Sequence, residues 1–334
     1  MHRAVSRHRA GDDRLAETPR RLTMSYEHLQ RRLDDDEVII LDGAIGTELE
    51  RLGAPMHQEA WCAAALDSHP ELVNTVHQSY IDAGADVITS NTYASTRMAL
   101  ESGGLGHRMR DWNEFAVRLA RDCVNSTAGS HPVCVAGSVS TFGLFRDTPI
   151  DEPVVRKAFR EQAEILAAAG VDLLLIETLA AEPATILMAI EACAGLDVPV
   201  WVAISALIDP GSGRIMLGIH ESIEHSTRVR VHEPLSDTVD RLTDAGVSTL
   251  LLMHSDLKAT APAVDVMAAH HRGTLGVYPN AGHWLRPEWA FVDQVSPEEF
   301  VAEASRWHES GARILGGCCG IGPEHIRALD SRFR

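Results

Sequence analysis

Eight short runs of apolar or β-branched residues recur along the 334-residue chain, and each leads through polar or glycine-rich residues into a longer stretch typical of a helix. The runs comprise residues 38–41, 86–89, 132–136, 172–176, 200–204, 249–253, 274–277 and 313–315. Strands that alternate with helices pack as βα units around a parallel sheet. Eight such units predict an α/β fold made of a single (β/α)8 TIM barrel, which typically takes about 250 residues.

Four of the predicted helix-to-strand joints carry a glycine at the same point: Gly84, Gly170, Gly246 and Gly311. A glycine just after a helix can adopt the left-handed backbone conformation that other residues resist. Its return at equivalent positions indicates that one structural unit is repeated along the chain.

An open, doubly wound sheet is the alternative α/β architecture. It predicts a glycine fingerprint after the first strand and an acidic residue about 20 positions later. The first turn carries only Gly43 and Gly46, at the wrong spacing. The barrel is therefore favoured.

The charge and the composition restrict the partners of the chain. A formal net charge of −17 argues against a nucleic-acid groove or an anionic membrane surface, because both require clustered lysines and arginines. A hydrophobic content of 45% without an apolar run long enough to cross a bilayer predicts a soluble, cytoplasmic protein that acts on small molecules. Six cysteines without regular spacing favour reduced thiols or metal ligands over structural disulfides.

Residues 1–24 form a polar, arginine-rich segment without an apolar period. We expect them to be a disordered N-terminal tail that precedes one barrel domain, residues 25–334. The tail lacks the apolar core of a secretory signal, and its acidic residues argue against a transit peptide. Met24 is an alternative natural start.

The residues that close the eight runs should meet at one mouth, because the active site of a (β/α)8 barrel lies at the carboxyl ends of its strands. These residues are Asp42, Thr89 (with Asn91 and Tyr93 beyond it), Ser138, Glu177, Ser205, His254, Tyr278, and Cys318 with Cys319. The predicted mouth therefore carries two carboxylates, an imidazole, two thiols and several hydroxyls.

His254, Cys318 and Cys319 are the candidate metal ligands. The two adjacent cysteines could instead be small core residues or form a vicinal disulfide, and the glycines beside them could serve a tight turn. A lone histidine is commonly just hydrogen bonded. Together the three residues supply the ligand set of a catalytic Zn²⁺ with a fourth position open. Coordination would deprotonate a substrate thiol, whereas activation of water would need a carboxylate such as Glu177 as general base. Both uses stay open at this point.

Asp42 and Glu177 each directly follow a predicted strand. A lone acidic residue at such a position often caps a helix or forms a turn. Two carboxylates beside a site that binds a thiol suggest instead that they recognise an ammonium group, as in an amino acid. His283, in the loop after the seventh strand, is either a second metal candidate or exposed, and exposure is favoured.

Several motifs together resemble the homocysteine S-methyltransferase family, whose members are zinc-dependent barrels that methylate thiols. The family includes users of betaine, S-methylmethionine and S-adenosylmethionine, and the homocysteine-binding module of cobalamin-dependent methionine synthase. The similarity spans about residues 38–329, nearly the whole ordered chain. The motifs lie at residues 41–47, 89–93, 137–138, 177–178, 278–282, 316–320 and 323–326.

The resemblance implies that the adjacent cysteines bind zinc and that Asp42 and Glu177 hold the amino group of the substrate. Thr89 would help to shape that pocket, and Asn91 of the same motif is counted with the substrate-binding residues. No catalytic residue is implied beyond the metal centre.

His254 is the main departure from the family, which places a third zinc-binding cysteine after the sixth strand. Zinc with three thiolates sums to one negative charge, whereas zinc with one neutral histidine and two thiolates sums to zero. A substrate thiolate on the second set should therefore be a weaker nucleophile. Histidine is a good zinc ligand, so we expect metal binding to be retained. Ala44 in place of a glycine, and Gly-Ile-Gly at residues 320–322 in place of an arginine and hydroxyl residues, are further departures.

The predicted function is that of a zinc-dependent S-methyltransferase that moves a methyl group from a sulfonium, ammonium or corrinoid donor to the thiol of homocysteine or a related thiol. Its partners would be a thiol amino acid and the methyl donor, and a corrinoid would have to arrive on a separate protein. A metal-dependent hydrolase or lyase and a noncatalytic amino-acid-binding barrel are the alternatives. The sequence leaves the donor, the acceptor and a homo-oligomeric state open.

Overall fold

The structure is a computed structural model that describes residues 23–127, 131–144, 150–223, 226–285, 290–292 and 294–334. Within these ranges the strands are β1 (Ile39–Ile40), β2 (Val87–Thr89), β3 (Cys134–Ser140), β4 (Leu173–Thr178), β5 (Val200–Ile204), β6 (Ala206–Ile208), β7 (Ile215–Ile223), β8 (Ser226–Pro234), β9 (Thr249–Asp256), β10 (Thr274–Asn280), β11 (His283–Leu285), β12 (Ala290–Val292) and β13 (Ala312–Leu315). The α-helices are α1 (Met24–Asp34), α2 (Ile45–Arg51), α3 (Ala65–Ser68), α4 (Pro70–Asp82), α5 (Arg97–Ser102), α6 (Met109–Ser126), α7 (Glu152–Ala169), α8 (Pro183–Cys193), α9 (Leu235–Asp244), α10 (Leu257–His270), α11 (Pro297–Glu309) and α12 (Pro323–Phe333).

Eight parallel strands form the barrel, in the order β1-β13-β10-β9-β5-β4-β3-β2. The seam lies between β1 and β2, where Leu41 bridges Val87 in parallel and the Asp42 amide donates to the Val87 carbonyl oxygen at 3.0 Å. Each of the eight predicted runs overlaps one of these strands. The predicted (β/α)8 barrel is therefore confirmed, and the open-sheet alternative is wrong.

Helix α7 shows how the outer layer covers the barrel. Its buried residues include Val155, Phe159, Ala163 and Leu166, spaced three or four positions apart as one helix face requires. The helix ends at Ala169, and the C-cap residue Gly170 has a left-handed φ of 88°. The other three predicted joint glycines have positive φ values of 101°, 84° and 109°, so the predicted left-handed role of these residues is confirmed.

The buried side chains divide into two clusters, one between the barrel and its helices and one inside the barrel. Tyr26 and Leu29 of α1 belong to the inner cluster, together with Trp201 of β5. The Trp201 indole Nε1 donates to the Tyr26 hydroxyl at 3.2 Å. Helix α1 thus fills the amino end of the barrel and leaves the carboxyl end for the site.

A second sheet, absent from the sequence-based prediction, lies beyond the barrel. It has the order β12-β11-β7-β6, and β8 pairs with β7 on the same sheet. Its strands come from the segment between β5 and α9 and from the segment after β10. Ile219 of β7 packs in the inner barrel cluster with Leu179 and Met253, so this sheet contributes to the carboxyl end of the barrel.

The predicted disordered tail covers residues 1–24. Residues 1–22 of it lie outside the described ranges, whereas Thr23 and Met24 are the N-cap and the first residue of α1. In the part of the chain that is described, none of the helices combines the length and the apolar character that a membrane crossing requires.

His77 of α4 generates a prediction about acid stability. It is fully buried, and burial lowers its pKa from 6.5 to about 4. The unfolded chain takes up a proton near pH 6.5 while the folded chain does not, so acidification from pH 7 to pH 5 should cost the folded state about 2 kcal/mol through this residue alone. We expect His77→Leu to remove that part of the pH dependence in urea unfolding.

The control for this prediction is His107→Leu, a substitution of an exposed histidine. It should leave the difference in unfolding free energy between pH 7 and pH 5 as it is in the wild type. An equal pH dependence in wild type and His77→Leu would contradict the role assigned to His77.

Candidate active site

The three predicted metal ligands lie together at the mouth of the barrel. His254 Nδ1 is 3.6 Å from the Cys318 sulfur and 3.9 Å from the Cys319 sulfur, and all three donor atoms lie within 4.8 Å of one another. Typical bond lengths of about 2.0 Å to nitrogen and 2.3 Å to sulfur place such ligand atoms about 3.6 Å apart around a tetrahedral zinc ion. The donor set therefore fits zinc in both chemistry and spacing.

A β-bulge aims His254 at the cysteines. In the pairing of β10 with β9, Tyr278 lies opposite Met253 but Asn280 lies opposite Asp256, so β9 carries one extra residue. His254 lies in this bulge with a φ of 44°, a left-handed conformation that is uncommon for a non-glycine residue. Bulges are known to redirect side chains beside active sites.

The loop that carries the cysteines is fastened to the end of β10. The Cys318 amide donates to the Pro279 carbonyl oxygen at 2.9 Å, and the Cys319 amide donates to Asn280 Oδ1 at 3.0 Å. The hydrogen bond with Cys319, together with burial, raises the pKa of the Cys318 thiol well above its usual range. A bound metal cation would reverse this effect, because it stabilises thiolates.

Two glycines before the cysteines are required by close packing. A Cβ atom on Gly317 would lie 2.1 Å from the Ile321 side chain. A Cβ atom on Gly316 would lie 2.7 Å from Leu41 Cβ and 2.9 Å from the Asp42 carbonyl oxygen. The glycines therefore let the cysteine loop pack directly against the first turn of the barrel.

Asp42 is a buried carboxylate, 3% exposed, that does not cap a helix. It accepts hydrogen bonds from the Thr89 amide at 2.7 Å and the Thr89 hydroxyl at 3.0 Å, while the N-cap of α2 is Ala44. Burial raises the pKa of Asp42 to about 7, against the opposing effect of the Thr89 hydrogen bonds. Thr89 thus orients Asp42 at the mouth.

Glu177 is the second buried carboxylate of the mouth. It accepts hydrogen bonds from the Ser138 hydroxyl and, at 3.2 Å, from the Tyr278 hydroxyl. Burial raises the pKa of Glu177 to about 7, although these hydrogen bonds and the nearby His254 oppose the shift. A buried carboxylate in this state is ready to gain a cationic partner, which would restore its charged form.

Both polar side-chain atoms of Asn91 form hydrogen bonds within the protein. Its amide nitrogen donates to the Cys62 carbonyl oxygen at 3.0 Å, and the Cys62 thiol donates to its Oδ1 at 3.3 Å. It thereby fastens a short 3-10 helix, Cys62–Ala64, beside the mouth.

The side chain of His283 lies outside the described part of the structure, so the interpretation of that residue stays a prediction.

Three partly exposed aromatic rings form a cluster near the ends of β2 and β3. The ring centroids of Trp61 and Tyr93, and of Trp61 and Phe142, are 6.2 Å apart, and those of Tyr93 and Phe142 are 5.4 Å apart. Tyr93 also packs against the inner barrel cluster. Tyr93 was predicted at the mouth, whereas Trp61 and Phe142 were not, because their distant positions in the chain carry no shared pattern.

The barrel sequence also matches a known protein family. The sequence model of the family described as Homocysteine S-methyltransferase matches residues 39–333. The chain belongs to the homocysteine S-methyltransferase family. The predicted resemblance is thereby confirmed, and the chain is a methyltransferase.

Relatives in the homocysteine S-methyltransferase family match over most of their length. Homocysteine S-methyltransferase 4 of Zea mays is 28% identical over 88% of this chain and 89% of its own. Selenocysteine methyltransferase of Astragalus bisulcatus is 27% identical, with 87% and 90% covered. The metallated form of the homocysteine methyltransferase MmuM from Escherichia coli is 26% identical, covers 91% of this chain and 99% of its own, and has a TM-score of 0.69. These full-length similarities favour methyl transfer over the hydrolase, lyase and noncatalytic alternatives.

The raised pKa of Glu177 generates a prediction about stability. Its folded pKa of about 7 exceeds the ordinary value of 4.5, so folding is penalised once the pH rises above the unfolded pKa, by about 3 kcal/mol above pH 7. We expect Glu177→Gln to stabilise the chelator-treated, unliganded protein at pH 8 and to have little effect at pH 4.5. Urea unfolding at both pH values measures this difference.

The matched control is Glu309→Gln, which removes an exposed carboxyl group. Its effect on the unfolding free energy should be small and similar at the two pH values. A Glu177→Gln variant that is destabilised at pH 8 would count against the penalty assigned to the buried carboxylate.

Proposed function

We propose that the chain is a zinc-dependent S-methyltransferase that transfers a methyl group from a sulfonium or quaternary ammonium donor to the thiol of homocysteine or a related thiol amino acid. The observation that carries this proposal is the spacing of His254, Cys318 and Cys319, whose donor atoms lie 3.6–3.9 Å apart across the histidine–cysteine pairs. These three residues would hold the metal and leave a fourth position for the substrate sulfur. When bound, zinc supplies a deprotonated, nucleophilic substrate thiol at neutral pH.

The charge of the ligand set follows from the histidine. As a neutral ligand, His254 would contribute no charge, and the two cysteine thiolates would balance the double charge of a zinc ion. A bound substrate thiolate would then add the only excess negative charge. We expect a less electron-rich sulfur than in a three-cysteine site.

Asp42 and Glu177 are the proposed ligands of the substrate ammonium group. Both are buried at the mouth and both have a pKa raised to about 7. A bound ammonium group would supply the positive charge that these buried carboxylates lack in the free protein. Thr89 holds Asp42, while Ser138 and Tyr278 hold Glu177, so the two carboxylates are oriented before substrate binds.

The aromatic cluster supports an onium donor over a corrinoid. A sulfonium or quaternary ammonium group is attracted to aromatic faces by about 0.5–2 kcal/mol, depending on its desolvation, and Trp61, Tyr93 and Phe142 offer partly exposed rings near the mouth. In the transfer the acceptor sulfur forms a bond to the methyl carbon. The bond from that carbon to the donor's sulfur or nitrogen breaks, and its electron pair stays on the departing neutral donor. No separate acid or base is then needed.

Methyl transfer can be tested directly with the purified protein. L-Homocysteine should be converted to methionine with S-methylmethionine, S-adenosylmethionine or betaine as donor, at a rate well above that of the protein-free mixture. Selenocysteine, the substrate in the name of the Astragalus relative, is a second acceptor to test. Failure with every thiol, selenol and onium donor on protein that contains a full equivalent of zinc would refute the proposal.

Metal content gives an independent prediction. The purified protein should hold about one zinc ion per chain by elemental analysis, and Cys319→Ala and His254→Ala should reduce that content and abolish methyl transfer, because each removes a proposed ligand. His254→Cys should keep the zinc and speed the transfer step, since it restores a third thiolate. The control is Cys123→Ala, on α6, which removes a thiol outside the site and should retain both zinc and activity.

The donor assignment predicts an effect of Tyr93. Loss of one ring of the cluster in Tyr93→Leu should raise KM for the onium donor about fivefold, corresponding to about 1 kcal/mol of lost attraction. KM for homocysteine should change little, and Tyr93→Phe should behave nearly as the wild type because the ring remains. A fall in kcat with an unchanged donor KM would argue against a donor-binding role.

A further inference from the structure

The hairpin of β7 and β8 reaches over the carboxyl end of the barrel. Ile219 of β7 packs in the inner cluster with Ala180 and Met253. His232 of β8 places its Nε2 3.0 Å from the Ala180 carbonyl oxygen. Ala180 follows β4 three residues after Glu177, and Met253 immediately precedes His254. The hairpin therefore lies against the same strand ends that carry the candidate active site.

Arg230 lies on the face of β8 that is turned toward the barrel. It stands directly opposite Ile219 in the antiparallel pair, and directly opposed residues place their side chains on the same face of a sheet. The exposure of the β8 side chains agrees with this assignment: Val229 and Val231 are exposed, while Arg230 and His232 are half-buried. The pairing with Ile219 therefore assigns Arg230 to the inner face, and the contact of His232 with Ala180 places His232 on that face as well.

The described residues that close the barrel strands offer no strong cation to a substrate carboxylate. None of the residues that close the eight barrel strands is a lysine or an arginine. Asp42 and Glu177 match an ammonium group but repel a carboxylate. An α-amino acid carries both groups, and a cation from outside the barrel strands would complement its carboxylate. The planar fork of an arginine fits a carboxylate through two parallel hydrogen bonds.

We propose that Arg230 binds the carboxylate of an amino-acid substrate at the mouth of the barrel and thereby selects α-amino acids over simple thiols and simple onium compounds. This inference rests on the proposed function, because it takes the substrate to be an amino acid. The carboxylate can belong to the acceptor, as in homocysteine, or to the donor, as in S-methylmethionine. Arg230 already has an interaction within the protein, which the bound carboxylate shares or replaces.

The test compares each amino acid with an analogue that lacks the carboxylate, by isothermal titration calorimetry on the purified protein. L-Homocysteine is paired with 3-aminopropane-1-thiol, and S-methyl-L-methionine is paired with (3-aminopropyl)dimethylsulfonium. The wild type should bind at least one amino acid about 10- to 100-fold more tightly than its analogue, the range expected for a charge-assisted contact. Arg230→Gln should lose this preference, and Arg230→Lys should keep part of it. The pair that responds identifies the source of the carboxylate.

The matched control is Arg214→Gln, which removes the same charge from an exposed position of the same segment. It should keep the preference for the carboxylate in full. Circular dichroism of Arg230→Gln should match that of the wild type, so that a lost preference reflects binding and not loss of the fold. The proposal is overturned if Arg230→Gln weakens an amino acid and its analogue equally, if it alters neither, or if the wild type shows no preference.

The outcome is separable from that of the methyl-transfer assay. Carboxylate preference that depends on Arg230 in a protein without methyl transfer would refute the proposed reaction and retain the binding role. Methyl transfer together with a carboxylate preference that survives Arg230→Gln would support the proposed reaction and refute the binding role of Arg230.

Discussion

The backbone of Asp42 joins three parts of the structure, and the site depends on that junction. Its amide donates to the Val87 carbonyl oxygen at 3.0 Å, which closes the barrel between β1 and β2, and its carbonyl oxygen accepts from the Gly317 amide at 3.1 Å. The side chain of Asp42 accepts two hydrogen bonds from Thr89. One residue therefore closes the barrel, receives the cysteine loop and presents a carboxylate to the mouth.

Several groups at the mouth destabilise the folded protein when no ligand is bound, but they are suited to binding substrate. Burial raises the pKa of both Asp42 and Glu177 to about 7, and buried carboxylates lose free energy when they ionise without a cationic partner. The strained φ of 44° at His254 is a further cost of the same kind. Such features concentrate at functional sites because a ligand or metal can repay them, while the two packed clusters of apolar side chains stabilise the rest of the molecule.

Sequence-based prediction succeeded where the information is local. The eight strands follow from short apolar runs, and the left-handed glycines follow from their position after a helix. It failed for the second sheet, although the alternation of Arg228, Val229, Arg230 and Val231 carried a period-two signal that could have revealed β8. The aromatic cluster carried no such signal, because Trp61, Tyr93 and Phe142 come together only through the barrel.

The sequence by itself determined the repeated βα architecture, the family of the chain and the types of side chain at the strand ends, because periodicity, glycine positions and motifs are properties of neighbouring residues. Only the tertiary structure decided which of these side chains meet. The bulge in β9 turns His254 toward Cys318 and Cys319, and the β7–β8 hairpin turns Arg230 toward the barrel. Distances between residues far apart in the chain depend on barrel closure and strand register, which no local pattern encodes.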